Sequence, residues 1–148
     1  MCDAVGSAAC AWSAVASSCR SGTTCTAGGA PLEAAETVFS STEIRGLKSL
    51  SGAAQCDRFF SLWTLKEAYI KARGMGMSLP VREITFDLEQ PPHIRFTCDR
   101  SLDPDPSRWS FQLLNPDADH FLAVAWEENS TPELSVRIRR LESMIHTI

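Results

Sequence analysis

The chain has 148 residues, enough for one ordinary domain with a single hydrophobic core. Hydrophobic residues make up 44% and charged residues 22% of it, and no apolar run approaches the ~20 residues of a membrane-spanning helix, so we expect no membrane association. The net charge of −4 argues against broad electrostatic binding to nucleic acid.

The cysteines do not form a metal or redox motif. Four of the six lie in the first 25 residues, and no pair has the Cys-x-x-Cys spacing. The N-terminus carries Asp3 where a secretory signal would have Lys or Arg. We therefore expect no disulfide framework and a cytoplasmic, reducing compartment.

Residues 1–30 consist mostly of Ala, Ser, Gly, Thr and Cys and show no helical or strand period. Such a composition buries little apolar surface, so it predicts a low-complexity segment without regular structure. The composition changes at Pro31, and we place the folded domain at residues 31–148.

Three helical patterns follow. In "PLEAAETVF", a proline at a suitable first position and apolar residues at helical spacing predict a short helix. In "SSTEIRGLKSL", Ser40 and Glu43 form the S-x-x-E pattern of a capping box, which predicts the start of a second short helix. After a predicted loop at "SGAAQCD", the longest pattern runs from about residue 58 to 73, with Gly74 as its stop.

Beyond the third helix the hydrophobic period changes to two, which is typical of strands. Residues 84–88 and 93–98 alternate on either side of "EQPP", and residues 108–114 and 120–126 do so around "NPDAD". The sequence therefore predicts two hairpins, with a final strand at 134–141. Helices followed by such strands predict an α+β fold, in which the helices pack on an antiparallel β-sheet.

The third predicted helix carries the residues best suited to chemistry. Residues four apart lie above one another on a helix, so Trp63, Glu67 and Lys71 form a line. Lys66 lies about 100° away around the axis. A carboxylate here could bind magnesium or accept a proton, and lysines could bind phosphate oxygens. Spacing alone favours a plainer interpretation, an exposed Glu67–Lys71 ion pair beside a buried tryptophan.

The complete sequence of this helix and of the turn after it favours a functional site over a plain ion pair. "WTLKEAYIK" (63–71) and "GMGMSLP" (74–80) resemble the W-[ST]-x-K-E-[AS]-x-x-K and G-x-G-x-S-L-P signature of the Sfp-type 4'-phosphopantetheinyl transferases. "VFSSTE" is similar to the family's F-x-x-x-E element, and "HFLAVAW" to its closing strand. The resemblance covers residues 31–126 and implies the C-terminal lobe of a two-lobed fold.

The resemblance implies a transferase that moves the phosphopantetheine arm of coenzyme A onto a serine of an acyl or peptidyl carrier protein, with Mg²⁺ as cofactor. It implies Glu67 as metal ligand or base, Lys71 as a catalytic phosphate contact and Lys66 as a second contact to coenzyme A. Trp63 is interpreted as a packing residue beneath the site. Glu43 is either part of the capping box or an active-site residue.

The chain departs from the family pattern near its start. The family's metal-binding G-x-D-x-E motif has its nearest counterpart in "MCDAV", where Asp3 matches the aspartate and Val5 replaces the glutamate. Asp3 and Glu67 are thus the predicted metal ligands. The first lobe has no visible counterpart, so we expect self-association or a second-lobe partner, or else a truncated lobe that binds carrier protein or coenzyme A without turnover. One hypothesis is that residues 4–30 come from a shifted reading frame or a mistaken gene start.

Overall fold

The structure, a computed structural model, describes residues 13–19, 30–88, 93–128 and 136. Its helices are α1 (Leu32–Val38), α2 (Ser41–Lys48) and α3 (Gly52–Arg73). Its strands are β1 (Ser13–Cys19), β2 (Ile84–Asp87), β3 (Arg95–Cys98), β4 (Trp109–Leu114) and β5 (His120–Glu127). Short 3-10 turns lie at Gly76–Ser78, Val81–Glu83 and Pro106–Arg108.

The strands form two antiparallel sheets. β2 pairs with β3, with Ile84 opposite Cys98, as predicted for the first hairpin. The second sheet has the order β1-β5-β4, and Val124 in its central strand lies between Val15 and Gln112. The predicted α+β class, with helices packed on antiparallel sheet, is confirmed.

Strand β1 lies in the segment for which the composition predicts no regular structure. That prediction is wrong for Ser13–Cys19, which pair with β5 at all seven positions. "SAVASSC" consists of small residues with weak contrast in hydropathy, so the alternation by which a strand is predicted is faint, and the pairing with β5 is what identifies it. The domain boundary at residue 31 stays a prediction. The final strand at 134–141 falls outside the described residues except for Val136, which is in no helix or strand.

Helix α3 is longer than predicted. It begins at Gly52, so most of "SGAAQCD" forms its first turns instead of a loop. The Gln55 Nε2 donates to the carbonyls of Leu47 at 3.1 Å and Leu50 at 2.9 Å, which satisfies acceptors at the end of α2 and joins the two helices closely. Gly74, at φ 65°, ends α3 in the left-handed conformation as predicted.

The core lies between α3 and the sheets, and α3 packs against both β1 and β5. An aromatic cluster joins the two sheets: the ring centroid of Phe111 lies 4.8 Å from that of Phe86 and 5.0 Å from that of Phe96. Tyr69 of α3 adds a third layer, 4.7 Å from Phe96. Such ring pairs contribute about 0.5–1.5 kcal/mol each beyond the area they bury. α3 is thereby held in one orientation.

The structure also bears on two expectations drawn from composition, one about disulfides and one about membrane-spanning helices. Cys56, buried in α3, is disulfide-bonded, whereas Cys98 in β3 is a free thiol. The expectation concerned a disulfide framework, which one bonded cysteine among the described residues does not make, and the cysteine spacing gave no signal for this bond. Of the helices in the described ranges, none has the length and apolar content to cross a bilayer.

Candidate active site

The middle of α3 contributes one lysine to the core. Lys66 Nζ lies 2.9 Å from Glu43 Oε2 of α2, and the two side chains are 1% and 0% exposed. The same ammonium donates to the carbonyls of Val81 and Ile84, both at 2.7 Å. Burial lowers the pKa of Lys66 below its usual value, although the Glu43 carboxylate opposes that shift. All three ammonium protons thus have protein acceptors.

Glu43 completes this buried junction. It forms the predicted capping box with Ser40: its Oε2 accepts the Ser40 N–H at 2.7 Å, and its own N–H donates to Ser40 Oγ at 3.3 Å. Its Oε1 accepts the Phe86 N–H at 2.8 Å. The Ile84 carbonyl and the Phe86 N–H share one edge of β2, so the Glu43–Lys66 pair binds that edge as a neighbouring strand would. Of the two interpretations of Glu43, this placement supports the capping box.

The predicted coenzyme A contact by Lys66 does not fit this placement. A buried ammonium with three protein acceptors has no proton left for a phosphate oxygen, and moving it outward would leave the Glu43 carboxylate unpaired in the core. The helical position of Lys66 was a signal for its burial. Lys66 lies about one turn from Leu62 and from Tyr69, and both of these residues are buried.

Glu67 and Lys71 lie on the exposed side of α3. The Lys71 Nζ is 3.8 Å from the Glu67 Oε2, and the two side chains are 53% and 35% exposed. At that distance the contact is a loose surface ion pair, so both charged groups keep the capacity to bind a ligand. The structure therefore brings these two predicted site residues together and leaves Lys66 out of the group.

Trp63 makes a hydrogen bond in addition to the packing predicted for it. Its Nε1 donates to Glu67 Oε1 at 3.0 Å. Its ring stacks on Phe59 with centroids 5.9 Å apart and planes at 16°, and Phe59 meets Phe39 edge-on at 5.2 Å. This hydrogen bond was not predicted from the sequence, although the spacing of four residues between Trp63 and Glu67 permits it.

A magnesium site would need more oxygen ligands than Glu67 supplies. In the part of the chain that the structure describes, no three His, Cys, Asp or Glu side chains come together, and Asp3 lies outside that part. Magnesium is commonly held by one or two carboxylates together with waters and substrate phosphates. Glu67 is an accessible carboxylate that could supply one such ligand, and the described residues do not group it with two others.

A second polar cluster fixes the end of α3. Asp103, fully buried, accepts hydrogen bonds from the Tyr69 hydroxyl at 3.1 Å, from the Trp109 Nε1 at 2.7 Å and from the Arg73 guanidinium. Burial raises the pKa of Asp103, but the hydrogen bonds from Trp109 and from the Asp105 N–H, together with the charge of Arg73, outweigh it and hold the pKa below its usual value. This cluster anchors the helix two turns beyond Glu67.

Comparison with known proteins gives a consistent result. Residues 25–125 match the family model of the 4'-phosphopantetheinyl transferase superfamily. The chain is 41% identical over 59 residues, 40% of its length, to the 4'-phosphopantetheinyl transferases gsp of Aneurinibacillus migulanus and Sfp of Bacillus subtilis, of which it covers 25% and 26%. It is 32% identical over 107 residues to the putative 4'-phosphopantetheinyl transferase slr0495 of Synechocystis sp., an overlap of 70% of this chain and 43% of that protein. The chain thus spans between a quarter and less than half of the length of these relatives.

Proposed function

The chain belongs to the 4'-phosphopantetheinyl transferase superfamily, and on this premise we propose that it forms part of an enzyme that transfers the 4'-phosphopantetheine arm of coenzyme A to a serine of an acyl or peptidyl carrier protein. The proposed reaction is magnesium-dependent and takes place in the cytoplasm. The observation that carries this proposal is the line of Trp63, Glu67 and Lys71 on the exposed side of α3. It joins an oriented carboxylate to a cation, the two groups that such a transfer needs.

Glu67 and Lys71 have separate roles in this reaction. Glu67 would hold Mg²⁺ or receive the proton of the carrier serine, whose oxygen attacks the phosphorus that bears the pantetheine arm. The bond from that phosphorus to the leaving phosphate oxygen breaks, and adenosine 3',5'-bisphosphate departs. Lys71 binds a diphosphate oxygen and offsets its charge as the bond breaks. Magnesium, when bound, stabilises the charge that develops on the phosphate oxygens.

The site needs further contacts to coenzyme A besides those of α3. Glu67 and Lys71 are both accessible, so a diphosphate bound there leaves room for a second protein surface. We propose that a second copy of the chain or a second-lobe partner covers this face, and that Asp3 supplies the second carboxylate to the metal. A site shared between chains is common in symmetric oligomers.

Mass spectrometry tests the proposal directly. The purified chain is incubated with coenzyme A, Mg²⁺ and an unmodified acyl or peptidyl carrier protein, and the carrier is examined for the phosphopantetheine adduct. We expect an adduct that disappears on chelation of Mg²⁺ and in Glu67→Gln. Glu36→Gln is the matched control, because Glu36 also forms an exposed ion pair with a lysine, Lys48 at 2.9 Å, but outside the candidate site.

The possible outcomes separate the functions. An adduct with Glu36→Gln but not with Glu67→Gln would support the assigned role of Glu67. A folded chain that gives no adduct, alone or with its partner lobe, would overturn the transferase proposal for this chain. Binding of coenzyme A or carrier protein without an adduct would then favour a lobe that binds its ligands without turnover.

A further inference from the structure

We propose that Glu67 and an anionic ligand compete for the Lys71 ammonium, so that binding of a diphosphate draws Lys71 away and frees the Glu67 Oε2. The inference rests on the proposed function, because that function assigns a diphosphate to Lys71. It goes further by making the exposed ion pair a resting state that the substrate itself has to open. No metal ion takes part in this exchange of partners.

The first step is that each carboxylate oxygen of Glu67 has a polar neighbour on α3. The Oε1 accepts the indole proton of Trp63 at 3.0 Å, within the ordinary range of a hydrogen bond, and the Oε2 has the Lys71 Nζ 3.8 Å away. Within the part of the chain that the structure describes, the Lys71 side chain makes no other ion pair. A ligand that binds the ammonium therefore takes the place of Glu67 as its anionic partner.

The second step is that Lys71 can move whereas Glu67 is held. The Trp63 ring is stacked on Phe59, which is 3% exposed and packs edge-on against Phe39. The direction of the indole N–H is thus set by core packing, and the hydrogen bond ties the Glu67 carboxylate to it. The Lys71 side chain is 53% exposed, and its ammonium sits on a flexible four-carbon stem. When the pair opens, the ammonium is the group that moves.

The third step is the balance between the two anions. An exposed ion pair as loose as the one between Glu67 and Lys71 stabilises little, whereas a hydrogen bond from an ammonium to a phosphate oxygen is short and strong. A diphosphate carries more negative charge than one carboxylate, and the two anions repel each other, so they do not share the ammonium favourably. Once Lys71 has turned to the diphosphate, the Glu67 Oε2 loses the cation beside it and can accept the proton of the carrier serine.

The test measures binding of pyrophosphate to the complete chain by NMR, with a chelator present so that no metal ion bridges the two. The titration follows the side-chain resonances of Lys71 and the indole N–H of Trp63. Glu67→Gln removes the competing charge, and Lys71→Met removes the ammonium. Glu36→Gln is the matched control, because it removes the same charge from another exposed Glu–Lys pair, in which Lys48 lies 2.9 Å from Glu36.

We expect Glu67→Gln to bind pyrophosphate several-fold more tightly than the parent, Lys71→Met to bind it several-fold more weakly, and Glu36→Gln to match the parent. Pyrophosphate should move the Lys71 resonances of the parent and leave the Trp63 indole proton as protected from solvent exchange as before. Binding by Glu67→Gln that is no tighter, an equal gain in Glu36→Gln, unchanged binding by Lys71→Met, loss of the indole protection, or a parent that does not bind pyrophosphate would overturn the inference. The expected affinities in a chain that modifies no carrier would count against the proposed function alone.

Discussion

Helix α3 takes part in two Glu–Lys ion pairs that share residue types and little else. Lys66 meets Glu43 at 2.9 Å inside the core, where backbone groups bind both partners, whereas Glu67 meets Lys71 at 3.8 Å in solvent and gains one hydrogen bond from Trp63. Lys66 and Glu67 are neighbours in sequence, but a helix turns by about 100° per residue, which carries one into the core and the other to the surface. The same two charges thus stabilise the fold on one side of α3 and stay accessible to a ligand on the other.

Breaking the buried pair should have the largest effect. Lys66→Met leaves the Glu43 carboxylate in the core without its counter-charge, so we expect a loss of about 3–5 kcal/mol in the free energy of unfolding. Urea denaturation measures it. The double variant Glu43→Gln/Lys66→Met removes both charges and should recover much of that loss. A single variant as stable as the parent would show that the buried pair is dispensable.

Neutralising the exposed carboxylate should separate function from stability. In Glu67→Gln we expect the rate of carrier modification to fall on the order of 10²-fold or more, since a metal ligand or a base is lost. The free energy of unfolding should change by less than ~0.5 kcal/mol, as for other exposed pairs. Both quantities are measured on the same preparation. A destabilisation as large as that of Lys66→Met would erase the distinction between the two pairs.

Asp103 lies between β3 and β4 and contacts α3, and it tests whether a second buried carboxylate behaves like Glu43. Its pKa is lower in the folded protein than in the unfolded chain, so its ionised form stabilises the fold above its ordinary pKa of 3.8, and that stabilisation is lost as the pH falls below it. Asp103→Asn should cost about 1.5–3 kcal/mol at neutral pH. Thermal melts recorded toward acid pH should bring the parent and the variant together, and curves that stay parallel would contradict this account.

The smallest effect on stability is expected from the other half of the exposed pair. Lys71→Met should change the free energy of unfolding by less than ~0.5 kcal/mol, because a loose i,i+4 ion pair contributes little. The KM for coenzyme A should nevertheless rise several-fold, since a phosphate contact is lost. Lys71→Arg keeps the charge and should stay close to the parent. An unchanged KM in Lys71→Met would remove Lys71 from the site.

Local signals predicted most of the elements. The capping box at Ser40 and Glu43 and the glycine at position 74 marked helix ends, and the alternating strands marked both hairpins. β1 was not predictable in this way, because "SAVASSC" is a strand only through its pairing with β5, about a hundred residues along the chain. The start of α3 depended likewise on a tertiary contact, in which the Gln55 side chain binds one carbonyl in the last turn of α2 and one just after that helix.

The sequence could propose members of the candidate site but not describe their environments. The resemblance singled out Lys66, Glu67 and Lys71 together, since a signature records residue types without stating which of them is buried. Only the packing of α3 against its neighbours separates Lys66 from the other two. The hydrogen bond from Trp63 to Glu67 is a similar case, because helical spacing permits the contact and the stack on Phe59 selects it.

The central position of β5 has a consequence for how the chain folds. β5 is the last described strand to be synthesised, yet both β1 and β4 depend on it for pairing. During translation, the edge of β1 that pairs with β5 therefore stays unpaired while the three described helices and the first hairpin leave the ribosome. Pairings between segments so distant in sequence form slowly. The interval before residues 120–127 emerge is when the nascent chain is most exposed to pairing with the wrong strand, and a chain cut short of β5 would keep that open edge permanently.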